Sequence, residues 1–184
     1  MNHSYQHDEN AETKYLKSLI SNFGKNNLQA DEAIKKLNIR HEALKKRRSK
    51  FLNDTDQNAN GYYQLCLRIH FFLYKDILAN AGKFRKINDP NHGNVYFGFN
   101  QRTQRDRFTG TNPQFIESEL REAFALLFNK QYQSIESSIR FYAEFIAIHP
   151  FYDANGRIGR YIIDTIDLSL NKNNKMMKWN AQFH

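Results

Sequence analysis

The sequence predicts an all-α fold, a helical bundle carrying one short β-hairpin. Three observations predict it. Apolar residues recur at three- and four-residue spacing through most of the 184 residues, the mark of helices that bury one face. One stretch alone has aromatic, β-branched strand character, Val95–Phe99, and it follows the turn formers of KINDPNHGN. A hydrophobic content of 40%, with 10 Tyr and 15 Phe, is enough for one ordinary core and too aromatic for a disordered chain.

Each element follows from its own pattern. Tyr15, Leu16, Leu19, Ile20 and Phe23 mark a first helix, stopped at Gly24. Ala33, Ile34 and Leu37 mark a short second helix after a cap at Asp31, and His41 to Leu52 reads as a third. The polar stretch NDTDQNANG then divides an N-terminal helical extension with its linker (1–60) from a core (61–171), which is followed by a polar tail (172–184). Asp56 to Gly61 matches the first half of a calcium-binding loop, but Leu67 stands where such a loop needs a bidentate glutamate. That stretch reads as a helix cap. The core opens with residues 62–85, read as one helix apolar round most of its circumference. The hairpin is expected within 86–100, and an amphipathic helix from Pro113. Gln133 to Ile148 forms the next, with Ile135, Ile139, Tyr142 and Ile146 along one stripe. Ile158, Ile162, Thr165, Ile166 and Leu170 carry the last helical face, and no internal repeat is found.

Composition bounds the function. No apolar run approaches the roughly 20 residues that span a bilayer, and MNHSYQHDENAETK lacks the basic start and apolar segment of a secretory signal. No membrane partner is expected. A bacterial cytoplasmic location fits, with delivery into another cell left open. The lone Cys66 precludes an internal disulfide and suits a reducing compartment. Much of the net charge of +8 sits in KKLNIRHEALKKRRSK, residues 35–50, where Glu42 is the sole acid. Without interleaved stacking aromatics this run reads as a solvated helix face, which disfavours nucleic acid as the partner.

The chemistry concentrates in HPFYDANGRIGR, residues 149–160, which joins two helices. Pro150 limits how the first helix ends and sets His149 at its C-terminal boundary. Asp153-Ala154-Asn155-Gly156 feeds the N-terminus of the next helix, where unpaired N–H groups and the helix dipole favour an anion. Arg157 and Arg160 share a face of that helix. Cations oppose the dipole there, and a multiply charged anion between them would reverse the cost. Asp153 is placed to hold Mg²⁺ beside phosphate oxygens, and His149 to act as a general base near its ordinary pKa of about 6.5. A bare helix-to-helix turn is the competing reading, but it has no need of a carboxylate, a histidine and two arginines together.

The same twelve residues resemble the signature loop of the Fic family, H-P-F-x-D/E-G-N-G-R-x-x-R, departing from it at Ala154, where the pattern has glycine. The resemblance extends to LCLRIHFFLYKDILANAGKFR, which ends like the family's helix before its hairpin, and to FTGTNPQFIESELREAF. It covers roughly residues 62–171. It implies a Fic-type helical bundle with a β-hairpin flap beside the active-site loop. The implied activity is protein adenylylation: transfer of AMP from ATP to a Tyr, Thr or Ser hydroxyl of a target protein, releasing pyrophosphate.

By the same resemblance, His149 deprotonates the hydroxyl and Asp153 holds Mg²⁺ on the α- and β-phosphates. Asn155 and the backbone N–H groups around Ala154 and Gly156 form an anion hole. Arg157 meets the β-phosphate and Arg160 the γ-phosphate. Phe151 anchors the loop in the core. The flap, Asn94, Val95, Tyr96, Phe97, Gly98 and Phe99, pairs with the target's backbone. Ala154 keeps its N–H for an anion if its φ is negative.

Relatives that transfer phosphate carry Lys at the position of Gly156 and lack the second arginine, which favours nucleotidyl transfer over phosphate transfer; UMP, phosphocholine or phosphate as the group moved is the alternative. The family's inhibitory pattern, S/T-x-x-x-E-G/N, finds no match: Ser118 to Glu122 has the spacing, but Ala123 follows. Either there is no built-in inhibitor or a separate antitoxin-like protein supplies it, and a homo-oligomer is left open. A toxin-like protein, or a nucleic-acid-binding module with a degenerate loop, is the alternative of another class.

Overall fold

Residues 11–25, 28–98, 108–129 and 135–170 are described by a computed structural model, with seven α-helices and one two-stranded antiparallel sheet among them. Helix α1 (Ala11–Phe23) buries Leu16 and Leu19. The chain leaves it through Gly24 to pair with a distant turn. There Lys25 N–H donates to Ile77 O (3.0 Å) and Ala79 N–H to Phe23 O (2.7 Å).

Helix α2 (Ala30–Lys46) follows Gln29, so Asp31 lies in its first turn rather than capping it. It runs straight through His41, and the break expected before that residue falls instead at Arg47, ahead of α3 (Arg48–Asn53). The basic run is largely satisfied within the chain. Lys36 pairs with Glu32, Lys45 with Glu42, Arg40 with Asp76 and Arg48 with Asp164. The Arg47 guanidinium lies over the Phe72 ring at 5.5 Å.

Asn58 caps α4 (Ala59–Tyr74), its side-chain oxygen accepting from Gly61 N–H at 2.8 Å, so the calcium-like sequence is a cap. This helix ends at Tyr74, well short of residue 85. Ile77, Leu78 and Ala81 are buried from turns rather than from helix, because residues 77–79 pair with the end of α1 and Gly82 takes φ +73°. Burial alone kept the apolar spacing going past the helix end.

Tyr62, Leu65, Ile69 and Leu73 make α4 the centre of the bundle, packed by α2, α5 (Ile116–Leu127) and α7 (Asn155–Leu170). Leu16, Leu19, Leu37 and Leu44 of the first two helices share that core. Helix α6 (Ile135–Ile148) lies against α5 and α7. Its buried face is Ser138, Phe141, Phe145 and Ile148, not the expected stripe, and Ile139 is half exposed. Both stripes are apolar, and the aromatic one fills the space against Phe124 (4.8 Å between the Phe124 and Phe141 rings).

Strand β1 (Tyr96–Phe97) pairs with β2 (Phe108–Thr109), Tyr96 opposite Thr109 and Phe97 opposite Phe108. The hairpin therefore spans 96–109 rather than 86–100, and its return strand comes from a segment with no strand signature of its own. The flap position Phe99 lies outside the described residues, as does the tail 172–184. No helix among the described residues is long and apolar enough to cross a membrane.

Candidate active site

Two helix ends and a strand meet at the loop 149–154. Phe145 O still accepts from His149 N–H (3.1 Å), but His149 itself turns to φ +51° and the chain leaves the helix. Phe151 is fully buried, its ring stacked on His70 at 4.1 Å and 7° from parallel, with Phe84 at 5.3 Å. Beneath the stack, His70 Nδ1 accepts from Gly82 N–H at 2.8 Å.

The loop is closed by the side chain of Asn155, almost wholly buried. Its Oδ1 accepts from Phe151 N–H (3.0 Å) and its Nδ2 donates to Phe151 O (2.8 Å). That amide is spent on holding the loop, so Asn155 offers an anion its backbone N–H. The first bond of α7 runs from Ile158 N–H to Ala154 O, which leaves the N–H groups of Asn155, Gly156 and Arg157 without helical acceptors.

Ala154 departs from expectation. Its φ is +63°, in the left-handed region, which costs an L-residue about 1–2 kcal/mol, and its N–H donates to Asp153 Oδ1 at 2.6 Å. The condition set for its role in an anion hole, a negative φ, is not met. Asp153 also accepts from the Tyr74 hydroxyl on Oδ2, and Arg157 Nη2 sits 3.2 Å from each of its oxygens. Arg160, exposed, donates to the Tyr142 hydroxyl (3.1 Å), and its guanidinium lies over Gly156, about 3.4 Å from where a Cβ would stand.

His149 is held in one orientation. Its ring stacks on Phe97 of β1 (4.2 Å, 15°) and its Nδ1 sits 3.2 Å from Ile146 O. A carbonyl accepts only from a protonated Nδ1, so Nε2 is the basic nitrogen. Burial lowers the pKa to about 4, leaving a neutral ring at pH 7.

Below, the fully buried Arg85 ties the base of the flap to the end of α6. It donates to the carbonyls of His149 (2.7 Å), Thr111 (2.9 Å), Ile148 (3.1 Å) and Gly93. Four carbonyls stand in for a counter-ion. Burial lowers its pKa to about 10, so it is still a cation at neutral pH. At Gly110 a Cβ would come within 2.7 Å of Val95 and 3.1 Å of His149 Cβ, so glycine permits this approach.

A cleft of about 360 Å³ above them takes in the flap residues 95–97, His149, residues 152–157 and Arg160. Asn94 and Gly98 flank the flap strand and Gly98 has φ +68°. Another depression, about 340 Å³ on α5 and α6, holds the Arg140–Glu144 pair and no candidate catalytic group.

Sequence reasoning missed the residues that reach this cleft from elsewhere. Tyr15 of α1 lines it and donates its hydroxyl to Tyr152 O. Shielding of the phenol, then the charge of Asp153, raises its pKa to about 12. His41 of α2 approaches Arg157, Tyr152 reaches Asp89 (3.0 Å), and Tyr74 reaches Asp153. Arg85 alone carried a signal, as the last residue of AGKFR.

The Fic/DOC family model matches residues 61–166, from the start of α4 through the arginines of α7. The chain belongs to that family. Its fold is shared by the crystal structure of a Fic family protein from Desulfovibrio desulfuricans G20, with a TM-score of 0.56 at 19% identity, over 88% of this chain and 47% of that one. The chain thus spans about half the length of that Fic protein. No curated protein matches the chain. The N-terminal helices that bring Tyr15 to the cleft and His41 to Arg157 lie outside the Fic/DOC match.

Proposed function

We propose that this Fic protein transfers AMP from ATP to a Tyr, Thr or Ser hydroxyl of a target protein, with release of pyrophosphate. Family membership supports a Fic-type transferase in general. The observation that carries the finer reading is the neutral His149, its Nε2 free, on the same cleft as the open N-terminus of α7 and two arginines.

In this reading His149 Nε2 takes the proton of the target hydroxyl as its oxygen bonds to the α-phosphorus, and the bond to the pyrophosphate oxygen breaks. The N–H groups of Asn155, Gly156 and Arg157 donate to phosphate oxygens, and Arg157 and Arg160 balance the charge of the leaving pyrophosphate. The donor set suits Mg²⁺ held by one carboxylate plus phosphate oxygens. Asp153 would hold it, since each of its oxygens has a lone pair beyond its present hydrogen bonds once Arg157 turns to the phosphates. When bound, the metal would neutralise phosphate charge. Tyr96 and Phe108, both more than half exposed, present the flap edge to an extended target segment.

UMP, phosphocholine or phosphate transfer would use the same loop. Gly156 and Arg160 favour nucleotidyl transfer over phosphate transfer, because a lysine at the first position and the loss of the second arginine accompany phosphate transfer in the resemblance above. Incubation of the chain with Mg²⁺ and lysate proteins, using ATP, UTP or CDP-choline labelled at the transferred group, separates the donors. Label from ATP alone, lost in His149→Ala, is the expected result. Transfer from another donor but not from ATP contradicts AMP transfer.

A further inference from the structure

We infer that His41, on a helix outside the Fic/DOC match, is a positioning residue for Arg157, and that the N-terminal helices are thereby part of the active site. The inference rests on the reading of Arg157 as a phosphate contact. Three observations lead to it. Arg157 Nη1 lies 3.4 Å from His41 Nδ1, across 116 residues of sequence, while its Nη2 spans both oxygens of Asp153. The guanidinium is therefore held at two of its nitrogens, one by a carboxylate and one by an imidazole. Beside a cation that donates, Nδ1 has to be the acceptor, which places the His41 proton on Nε2. Nε2 is buried and has no hydrogen-bond partner among the described residues. A buried donor left unpaired is costly, and the contact with Arg157 is what His41 receives in return.

Charge agrees with geometry. Burial, and then Arg157 itself, lowers the His41 pKa to about 4, so the ring is neutral at pH 7 and accepts rather than repels the guanidinium. Helix α2 is fixed where it must be for this. Ala33, Leu37 and Leu44 are buried in the common core, and Arg40, one residue before His41, donates to Leu73 O (2.8 Å) at the end of α4. The Asp153 side of the clamp is available to let go when phosphate arrives. His41 carries no charge to compete for Arg157, so it steers the guanidinium without trapping it.

The test has an arm that needs no nucleotide. Two-bond ¹⁵N–¹H spectra of the full chain at pH 7 should show His41 as the Nε2–H tautomer, with its Nδ1 resonance moved by Arg157→Ala. The Nδ1–H tautomer, or no response to Arg157→Ala, overturns the inference whatever the reaction is.

The second arm is kinetic. His41→Ala should lower kcat/KM for ATP about tenfold, with kcat itself falling, because Arg157 also balances the charge of the leaving pyrophosphate. His41→Asn, whose Oδ1 stands near the Nδ1 position, should recover most of that loss. His41→Ala added to Arg157→Ala should change nothing further. Equal losses in the Ala and Asn variants, or losses that add to those of Arg157→Ala, mean a structural role only and overturn the inference. Absence of any AMP transfer by the unaltered chain would remove the proposed function, and the spectroscopic arm would still decide the role of His41.

Discussion

The imidazole of His149 lies flat against the ring of Phe97, 4.2 Å apart and 15° from parallel, so the flap is in direct contact with the residue assigned as the base. In the proposed reaction, target docking and proton transfer would share this one contact. Such a ring pair contributes about 0.5–1.5 kcal/mol beyond its area burial.

Phe97→Ala should separate the two roles. Phe97 is half-buried and stacks on both His149 and Phe108, so Tm should fall by only a few degrees. Without the stack His149 samples other orientations, and kcat/KM toward a protein acceptor should fall about tenfold. KM for ATP should stay near its original value. Steady-state kinetics with both substrates varied checks this, and an unaltered kcat/KM would contradict it.

The pH profile follows from burial. With a pKa lowered to about 4, His149 is unprotonated throughout the neutral range, so if it is the base, the acid limb of kcat/KM belongs near pH 4 and not near the ordinary value of about 6.5. Stability should follow the other half of the cycle. His41, His70 and His149 have pKa values lowered to about 4, 3 and 4, so below about pH 6.5 the unfolded chain takes up protons that the folded chain refuses. Their contribution is present above 6.5 and is lost as the pH falls towards 4. Melting temperatures measured from pH 7 to pH 4 should drop over that window. A flat profile would show that the three rings are not held neutral.

Arg85→Lys keeps the charge and loses the fork. An ammonium cannot reach all four carbonyls, so at least one buried acceptor goes unpaired, and the loss should be at least about 2 kcal/mol. For a chain of this length that lowers Tm by about 4–8 °C. Activity should fall further than stability requires, because His149 O and the flap base lose a common tie. Thermal melting together with AMP transfer below Tm reads both effects.

At Ala154 the left-handed φ makes a specific demand. Ala154→Gly should leave stability within about 1 kcal/mol, since relief of strain is offset by greater freedom of the unfolded chain. Ala154→Val puts a β-branched side chain at a φ it rarely adopts and should cost about 2 kcal/mol or more. Denaturant titration of the pair measures the difference. Equal stability of the two variants would show that φ is not positive there.

The loop 149–160 was legible because its information is local: a helix end, a turn and a helix start lie within twelve consecutive residues. The bundle was legible for the same reason, stripe by stripe. What escaped is set by distant partners. Tyr15 and Tyr152 are 137 residues apart, and nothing in the α1 stripe distinguishes a side chain that lines a cleft from one that packs. Phe108 and Thr109 become a strand because β1 is there to pair with them. Ile77 and Leu78 prolong an apolar spacing beyond a helix that has already ended, since buried turns and buried helices both need apolar residues. In α6 two adjacent apolar stripes compete, and the choice falls to Phe141, whose ring meets Phe124 of α5, and to Phe145, whose ring meets Phe141. Asn155 was identified as a site residue, but its side-chain partners could not be read from a motif. They depend on how tightly the loop closes.

The central claim is that His149 drives AMP, not phosphate, onto a protein hydroxyl. Parallel reactions with ATP labelled at the α- or the γ-phosphate, with Mg²⁺ and target-containing lysate, test it most directly. The account predicts protein-bound label from α-labelled ATP only, none from γ-labelled ATP, and none from either with His149→Ala. Label from the γ-position, or α-label that persists without His149, would contradict it.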